Sequence, residues 1–430
     1  MSASLFNDRL AAEFAATGSL LPETVLPLAQ REAALERLLE LGLPSLRDDA
    51  WRYANLRPIQ SATLHPAAND AGATIAAATL LDGVTRPFPE DGARLVFVDG
   101  RLEQSLSTPL AKSGGLLPLE PAALPSARSA ENRFALLNDI FVLDAARFRV
   151  TGECNLELIF IAGSAAQAAA SYPRVQLQLA AGAHLTLVER HLGGSAAGTL
   201  SSSVCELELG RDATCRYYRA QDLAVTATHL ETLQVRLDAG ARLEAVFLQL
   251  GGGSVRSTLA CDLAGRGASA QLQAVSLAKD HRTLDSAITV GHNAPDTVSQ
   301  QELRAIAADR ASIAFQSNVA VAATAPGADS RQSLKGLISG ATAEINLRPQ
   351  LEIDIDSVKA SHGATTGAID EATLFYLLSR GLDRETARLL LEWAFIEQVI
   401  GKVALPALRR EFEERAVAHL GNRAALEALS

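Results

Sequence analysis

No two of the four cysteines, Cys154, Cys205, Cys215 and Cys261, are spaced C-x-x-C, so neither a zinc knuckle nor a redox pair is signalled. Four buried or half-buried thiols in a reducing compartment are what remains. No G-x-x-x-x-G-K-[ST] occurs, and the Gly251–Gly253 triplet is not set in a strand-to-helix phosphate loop. The chain should therefore not hydrolyse ATP by itself. G-x-S-x-G and H-E-x-x-H are absent as well, which removes the commonest local signatures of serine hydrolases and zincins. Basic runs are missing and the formal net charge is -10, so phosphate-neutralising side chains are not in excess and a nucleic-acid or anionic-membrane binder is disfavoured. No stretch approaches the roughly 18 apolar residues that cross a bilayer. The opening "MSASLFNDRLAAEFAATG" has no charged segment followed by an apolar one, and the expectation is a cytoplasmic protein.

What is present falls into three textures. The first, residues 1–90, reads as helical followed by a linker. "LPLAQREAALERLLELGLP" sets Leu28, Leu35, Leu38 and Leu39 near one helical face, and Gly42 with Pro44 stops it. A short aromatic and basic segment, "DDAWRYANLRP", follows, and the Ala-, Gly- and Pro-rich stretch up to residue 92 reads as loop. The second texture, residues 91–360, consists of short apolar alternations broken by Gly, Asp and Ala corners that recur about every 28 to 30 residues, the self-similarity of a solenoid. Examples are "LQLAAGAHLTLVER" from Leu177 and "VRLDAGARLEAVFLQL" from Val235. A parallel β-helix accounts for the short strands, the corners that need unusual backbone angles and the small interior residues. A two-sheet sandwich uses similar turns and stays open, whereas a hexapeptide β-helix lacks its strict period.

The third texture, residues 361–430, returns to helix. Asp370 and Asp383 can cap two helices, Gly381 can end the first, and Pro406 can open a third. In the second of these, Ala387, Leu390, Leu391, Ala394 and Phe395 form an apolar face. A terminal helical module of this kind can cap an open solenoid end. The fold class is thus mainly β: a β-helix core between N- and C-terminal α-helical domains.

The histidines of the solenoid, His184, His191, His229, His281 and His292, are scattered along the chain, and each reads as a surface or hydrogen-bonded structural residue before a metal ligand. Glu189 and His191 share a strand face while His184 points the other way. "HRTLDSAITVGHNAPDTVSQQ" is dense in polar groups and offers a functional face. Glu352, Asp354 and Asp356 fall on one strand face, which would suit a polysaccharide-active β-helix enzyme, but the ordinary reading is a solvated acidic edge. His362, set among Ser, Gly, Ala and Thr in "SVKASHGATTGAID", either does chemistry or stands in a tight turn.

The stretch Ser330 to Phe395 carries a specific resemblance. Its P-x-L-E-I strand at Pro349–Ile353, its S-V-K at Ser357–Lys359, S-H-G-A-T-x-G at Ser361–Gly367 and F-Y-L-x-S-R-G-L at Phe375–Leu382 resemble the shared core of the SufB/SufD family of iron-sulfur cluster assembly proteins. The S-H-G-A-T form, "DDAWRYANL" and "HNAPDTVSQQ" resemble the SufD branch. The resemblance implies a right-handed parallel β-helix flanked by helical domains, and a non-catalytic scaffold subunit rather than an enzyme. It implies pairing with a SufB-like subunit through the β-helix ends, and a SufC-like ATPase carried on the C-terminal helical domain. A nascent Fe-S cluster or iron would be held transiently at the interface, with no stably bound cofactor. Flavin binding by the complex, and a homodimer when SufB is absent, stay open. By the same resemblance Lys359, Ser361, His362 and Gly363 are interface candidates, with His362 the candidate iron ligand. Phe375, Tyr376, Arg380, Gly381, Asp383 and Phe395 are candidates for docking the ATPase. Many relatives have Cys two residues before this histidine, and here that position is Ala360. A generic β-solenoid interaction module is the remaining rival.

Overall fold

The computed structural model describes residues 2–45, 47–66, 71–88, 92–108, 115–119, 132–162, 170–193 and 199–421. From Arg174 onward successive strands alternate between two sheets, and each strand pairs in parallel with the strand two along in the chain. The chain therefore winds as a β-solenoid of about seven turns. In one sheet His184, Thr214, Arg242, Ser269, Val298, Asp329 and Lys359 stand in line, so one turn consumes between 27 and 31 residues. Alternate side chains on each strand point inward. They build the core from Leu, Val, Ala and Cys, including Leu156, Leu187, Cys215, Leu243 and Leu272. All four cysteines are buried and free. Burial pushes the thiols of Cys215 and Cys261 up to about 12, so they stay protonated.

The corners explain the recurring Gly and Asp. Gly182, Asp212, Gly240, Gly267, Asp296 and Gly327 all have positive φ, between 55 and 79°. Each donates its backbone N–H to a carbonyl of the next turn, those of Arg211, Ala239, Arg266, Pro295, Pro326 and Ser357 respectively, over 2.7–3.1 Å. Left-handed backbone is costly for most side chains, and Asp tolerates it better than most.

The N-terminal helices Ser2–Thr17 and Leu28–Leu41 pack with the helix Arg133–Phe141 against one flank, in a core that includes Phe6, Leu10, Leu38 and Phe141. Arg31, fully buried, ties them together by donating to the carbonyls of Leu26, Ile140 and Val142 at 3.0, 3.0 and 2.9 Å. "DDAWRYANLRP" lies along the solenoid: Arg348 pairs with Asp49 at 2.5 Å, the Arg256 guanidinium sits 4.1 Å over the Trp51 ring, and Ser254 Oγ donates to the Asn55 carbonyl at 2.6 Å. Within the stretch read from sequence as loop, Ala71–Leu81 is a helix. Its Ala73 and Ala77 pack against Val96, Val98, Ile159 and Ile161, so contact with a sheet face stabilises a run that lacks polar/apolar periodicity.

The C-terminal helices Glu371–Ser379, Arg384–Ile400 and Pro406–Leu420 begin where the capping residues place them, with Asp370 and Asp383 each accepting from a backbone N–H at 2.9 Å. The buried stripe of the long helix differs in part from the expected one. Ala387 is buried and Leu390, Leu391 and Phe395 are half-buried, but Ala394 is exposed, and Leu389, Glu392, Ile396, Val399 and Ile400 are buried as well. Two adjacent stripes of this helix are apolar enough, and the solenoid surface selects between them: Ile396, Val399 and Ile400 meet Val246, Leu248, Val275 and Ile306. The helices thus cover the outer flank of a sheet. Among the described residues the expected capping of the solenoid end does not occur.

Candidate functional site

The last strand of the solenoid, Lys359–Gly367, extends the sheet through Asp329–Ser339, and among the described residues nothing pairs with its other edge. All nine of its residues are exposed. His362 accordingly stands in mid-strand and not in a tight turn, and Lys359, Ser361, His362 and Gly363 come together on this open edge. Residues 361–367 belong to the solenoid, and the first C-terminal helix begins at Glu371. The other sheet ends similarly: among the described residues Glu344–Ile353 pairs only with Ser312–Val321, and Ile345, Leu347 and Leu351 are half-buried against the core. The C-terminal mouth of the solenoid is therefore two open strand edges around a partly covered apolar end. Such edges present unpaired N–H and C=O groups to any chain that can match them.

Register places His362 opposite Gln332, which is buried on the inward column. His362 continues that column beyond the point where the solenoid stops. Below it the interior is polar. Gln332 Nε2 donates to Ser317 Oγ at 2.8 Å, Ser299 Oγ to Ser330 Oγ at 2.9 Å, and His292 is bonded to Thr297 and Ser299 hydroxyls, both at 2.8 Å. The stretch expected to form a functional face thus turns its His292, Ser299 and Gln301 inward. Ala360, two positions from His362, supplies no thiolate on this strand. Glu352, Asp354 and Asp356 are exposed, the last two in the corner beyond their strand, and they form a solvated acidic rim.

The docking candidates divide. Phe375 and Tyr376 are 71% and 53% exposed on the first C-terminal helix, and Arg380 lies over the Tyr376 ring at 5.0 Å. Gly381 ends that helix with φ 95° and Asp383 starts the next. Phe395 instead turns to the solenoid flank, beneath the Arg304 guanidinium.

Of the solenoid histidines, His184 is exposed while Glu189 and His191 are buried on one face, as strand alternation requires, and the two are bonded to each other at 2.6 Å. His229, which the sequence placed far away, is packed against His191 with ring centroids 4.7 Å apart. Its signal was the repeat: one turn brings residues of neighbouring rungs into the same interior.

Residues 160–395 match the family described as SUF system FeS cluster assembly, SufBD core domain. The chain is 26% identical over 402 residues to the iron-sulfur cluster assembly protein SufD of Escherichia coli (strain K12), covering 92% of each chain. It is 27% identical over 379 residues to an iron-sulfur cluster assembly SufBD family protein of Mycobacterium tuberculosis, covering 85% of this chain and 87% of that one. To the iron-sulfur cluster assembly protein SufB of Bacillus subtilis (strain 168) it is 28% identical over 199 residues, 46% of this chain and 43% of the relative. A β-solenoid with an open His362-bearing end, matched over more than half its length by this one family, belongs to the SufBD family of iron-sulfur cluster assembly proteins.

Proposed function

We propose that this chain is a non-catalytic scaffold subunit of a Suf assembly complex. It pairs end to end with a SufB-like subunit and carries a SufC-like ATPase, and iron and sulfur are joined at the shared interface as cargo. The observation that carries this reading is the solenoid mouth, where Glu344–Ile353 and Lys359–Gly367 offer two unpaired parallel edges. A partner solenoid with the same rung geometry could continue both sheets. Main-chain bonds would supply affinity and the half-buried Ile345, Leu347 and Leu351 an apolar contact. His362, exposed and on the inward column, would then meet the partner's end residues, and imidazole is a serviceable iron ligand. With Ala360 beside it, any thiolate at that place would come from the partner.

Exposed Phe375 and Tyr376, on the first C-terminal helix, are the surface on which an ATPase would dock. The test is co-expression of the full chain with SufB- and SufC-like partners, followed by affinity isolation and measurement of Fe-S enzyme activity in cells. A stable complex is expected, and His362→Ala should leave it intact while lowering cluster assembly. Failure to recover any complex overturns the scaffold reading. Full assembly by the variant removes His362 from the chemistry.

A further inference from the structure

We infer that the solenoid interior holds a site for one divalent transition-metal ion, made by Glu189, His191 and Glu231 with His229 beside them. This goes beyond the scaffold reading and lies on different rungs from the mouth. Glu189 and His191 project inward from the strand His184–Gly193, and Glu231 projects inward from Thr228–Leu237 in the opposite sheet. One ligand atom from each lies within 4.8 Å of the others, and the three residues are 2%, 1% and 5% exposed. Metal–ligand bonds of about 2.0–2.2 Å set ligand atoms roughly 3–4.4 Å apart, so the closing movement needed is at most on the order of 1 Å.

The second observation is a set of buried nitrogens without work. His229 is fully buried, and neither of its ring nitrogens completes a hydrogen bond of ordinary geometry, although the Ser201 backbone is within its reach. His191 Nδ1 is likewise unpartnered, and so is Gln221 Nε2, on the residue registered opposite His191 in the next rung. Buried polar groups left this way are rare and costly, and several around one point indicate something that normally occupies it.

Charge argues for a cation. Two carboxylates face one guanidinium, that of Arg219, which pairs with Glu231 and lies 4.1 Å over the Phe247 ring. The two carboxylates exceed that one guanidinium by one negative charge in a dry interior, an expensive arrangement. The carboxylates are also held from outside, since Tyr217 Oη donates to Glu189 at 2.8 Å and Ser257 Oγ to Glu231 at 2.9 Å. Such outer hydrogen bonds orient metal ligands. A set of carboxylates and imidazoles suits iron(II), cobalt(II) or zinc, whereas calcium and magnesium take oxygen alone and copper(I) prefers thiolate. On binding, the ion takes the position between Glu189 Oε1 and His191 Nε2, and the imidazole carries its proton on Nδ1 instead.

The experiment uses the full chain, stripped with a chelator in mild urea, refolded with cobalt(II) or zinc and desalted. About one equivalent should remain per chain, with visible cobalt d–d absorption, and His191→Gln together with Glu189→Gln should weaken retention more than about 100-fold. His362→Ala, which alters the exposed imidazole at the mouth, should leave retention unchanged. Because the interior variants could fail to fold, zinc X-ray absorption on the wild-type chain gives an independent reading, with imidazole and oxygen neighbours expected and no sulfur. Failure of the refolded wild type to retain metal overturns the proposal, as does a sulfur neighbour or retention lost with His362→Ala.

Discussion

His292 is buried between the hydroxyls of Thr297 and Ser299, and burial lowers its pKa to about 4 although Asp329 nearby acts in the opposite direction. The unfolded chain, with an ordinary imidazole near pH 6.5, binds the proton that the folded chain refuses. The folded state is therefore favoured fully above pH 6.5 and loses this contribution as pH falls from 6.5 through 4. The full effect is up to about 3 kcal/mol for a shift of this size. Urea titrations at pH 7 and pH 4.5 should show the fall. His292→Gln, which keeps a hydrogen-bonding side chain but does not titrate, should flatten the pH dependence. An unchanged profile in that variant would transfer the effect to other groups.

Elements are held in register by their corners, and the corner column makes a finer distinction than the need for flexible backbone. A side chain on Gly240 would run into the carboxylate of Asp212, and one on Gly327 into that of Asp296, whereas at Gly267 there is open space. At these two places a side chain would meet the carboxylate of the Asp one turn before, while Gly267, stacked after Gly240, is free of that constraint. Gly240→Val should cost about 2–4 kcal/mol, from left-handed strain plus the clash, and Gly267→Asp should cost less than about 1 kcal/mol. Thermal and urea unfolding of the two variants checks the contrast, and equal losses would refute it. The second and third C-terminal helices are packed onto the solenoid, since Ile396, Val399 and Phe412 share a core with Val246 and Val275. Deleting residues 366–430 would uncover that flank, so ATPase docking is better tested by Phe375→Ser with Tyr376→Ser. These exposed changes should leave stability within about 0.5 kcal/mol and abolish capture of the SufC-like partner. Undiminished capture would move the dock elsewhere.

For the whole molecule the open mouth is decisive, because a solenoid that is not capped by its own helices needs another chain or tolerates an exposed end. Ile353 is 42% exposed at this end. Ile353→Asp should weaken association with a SufB-like partner more than about tenfold while leaving the melting temperature of the isolated chain nearly unchanged. Light scattering and affinity isolation read the two effects separately. An unaffected complex would place the interface away from the mouth.

Much of this was legible in the chain itself. Rung length, corner chemistry, helix caps and the common strand face of Glu189 and His191 follow from local rules: backbone angles open to Gly and Asp, the two-residue strand period, and side chains that satisfy orphan N–H groups. The motif around His362 also marked the family. Tertiary structure alone decided that Ala71–Leu81 is a helix, that Ile396 and not Ala394 faces the solenoid, and that the helices flank the mouth instead of closing it. It alone brought His229 against His191 and left His362 on an open edge. Each of these depends on which surface a segment meets across many residues of chain. Local preference leaves that choice nearly degenerate until packing removes the alternatives.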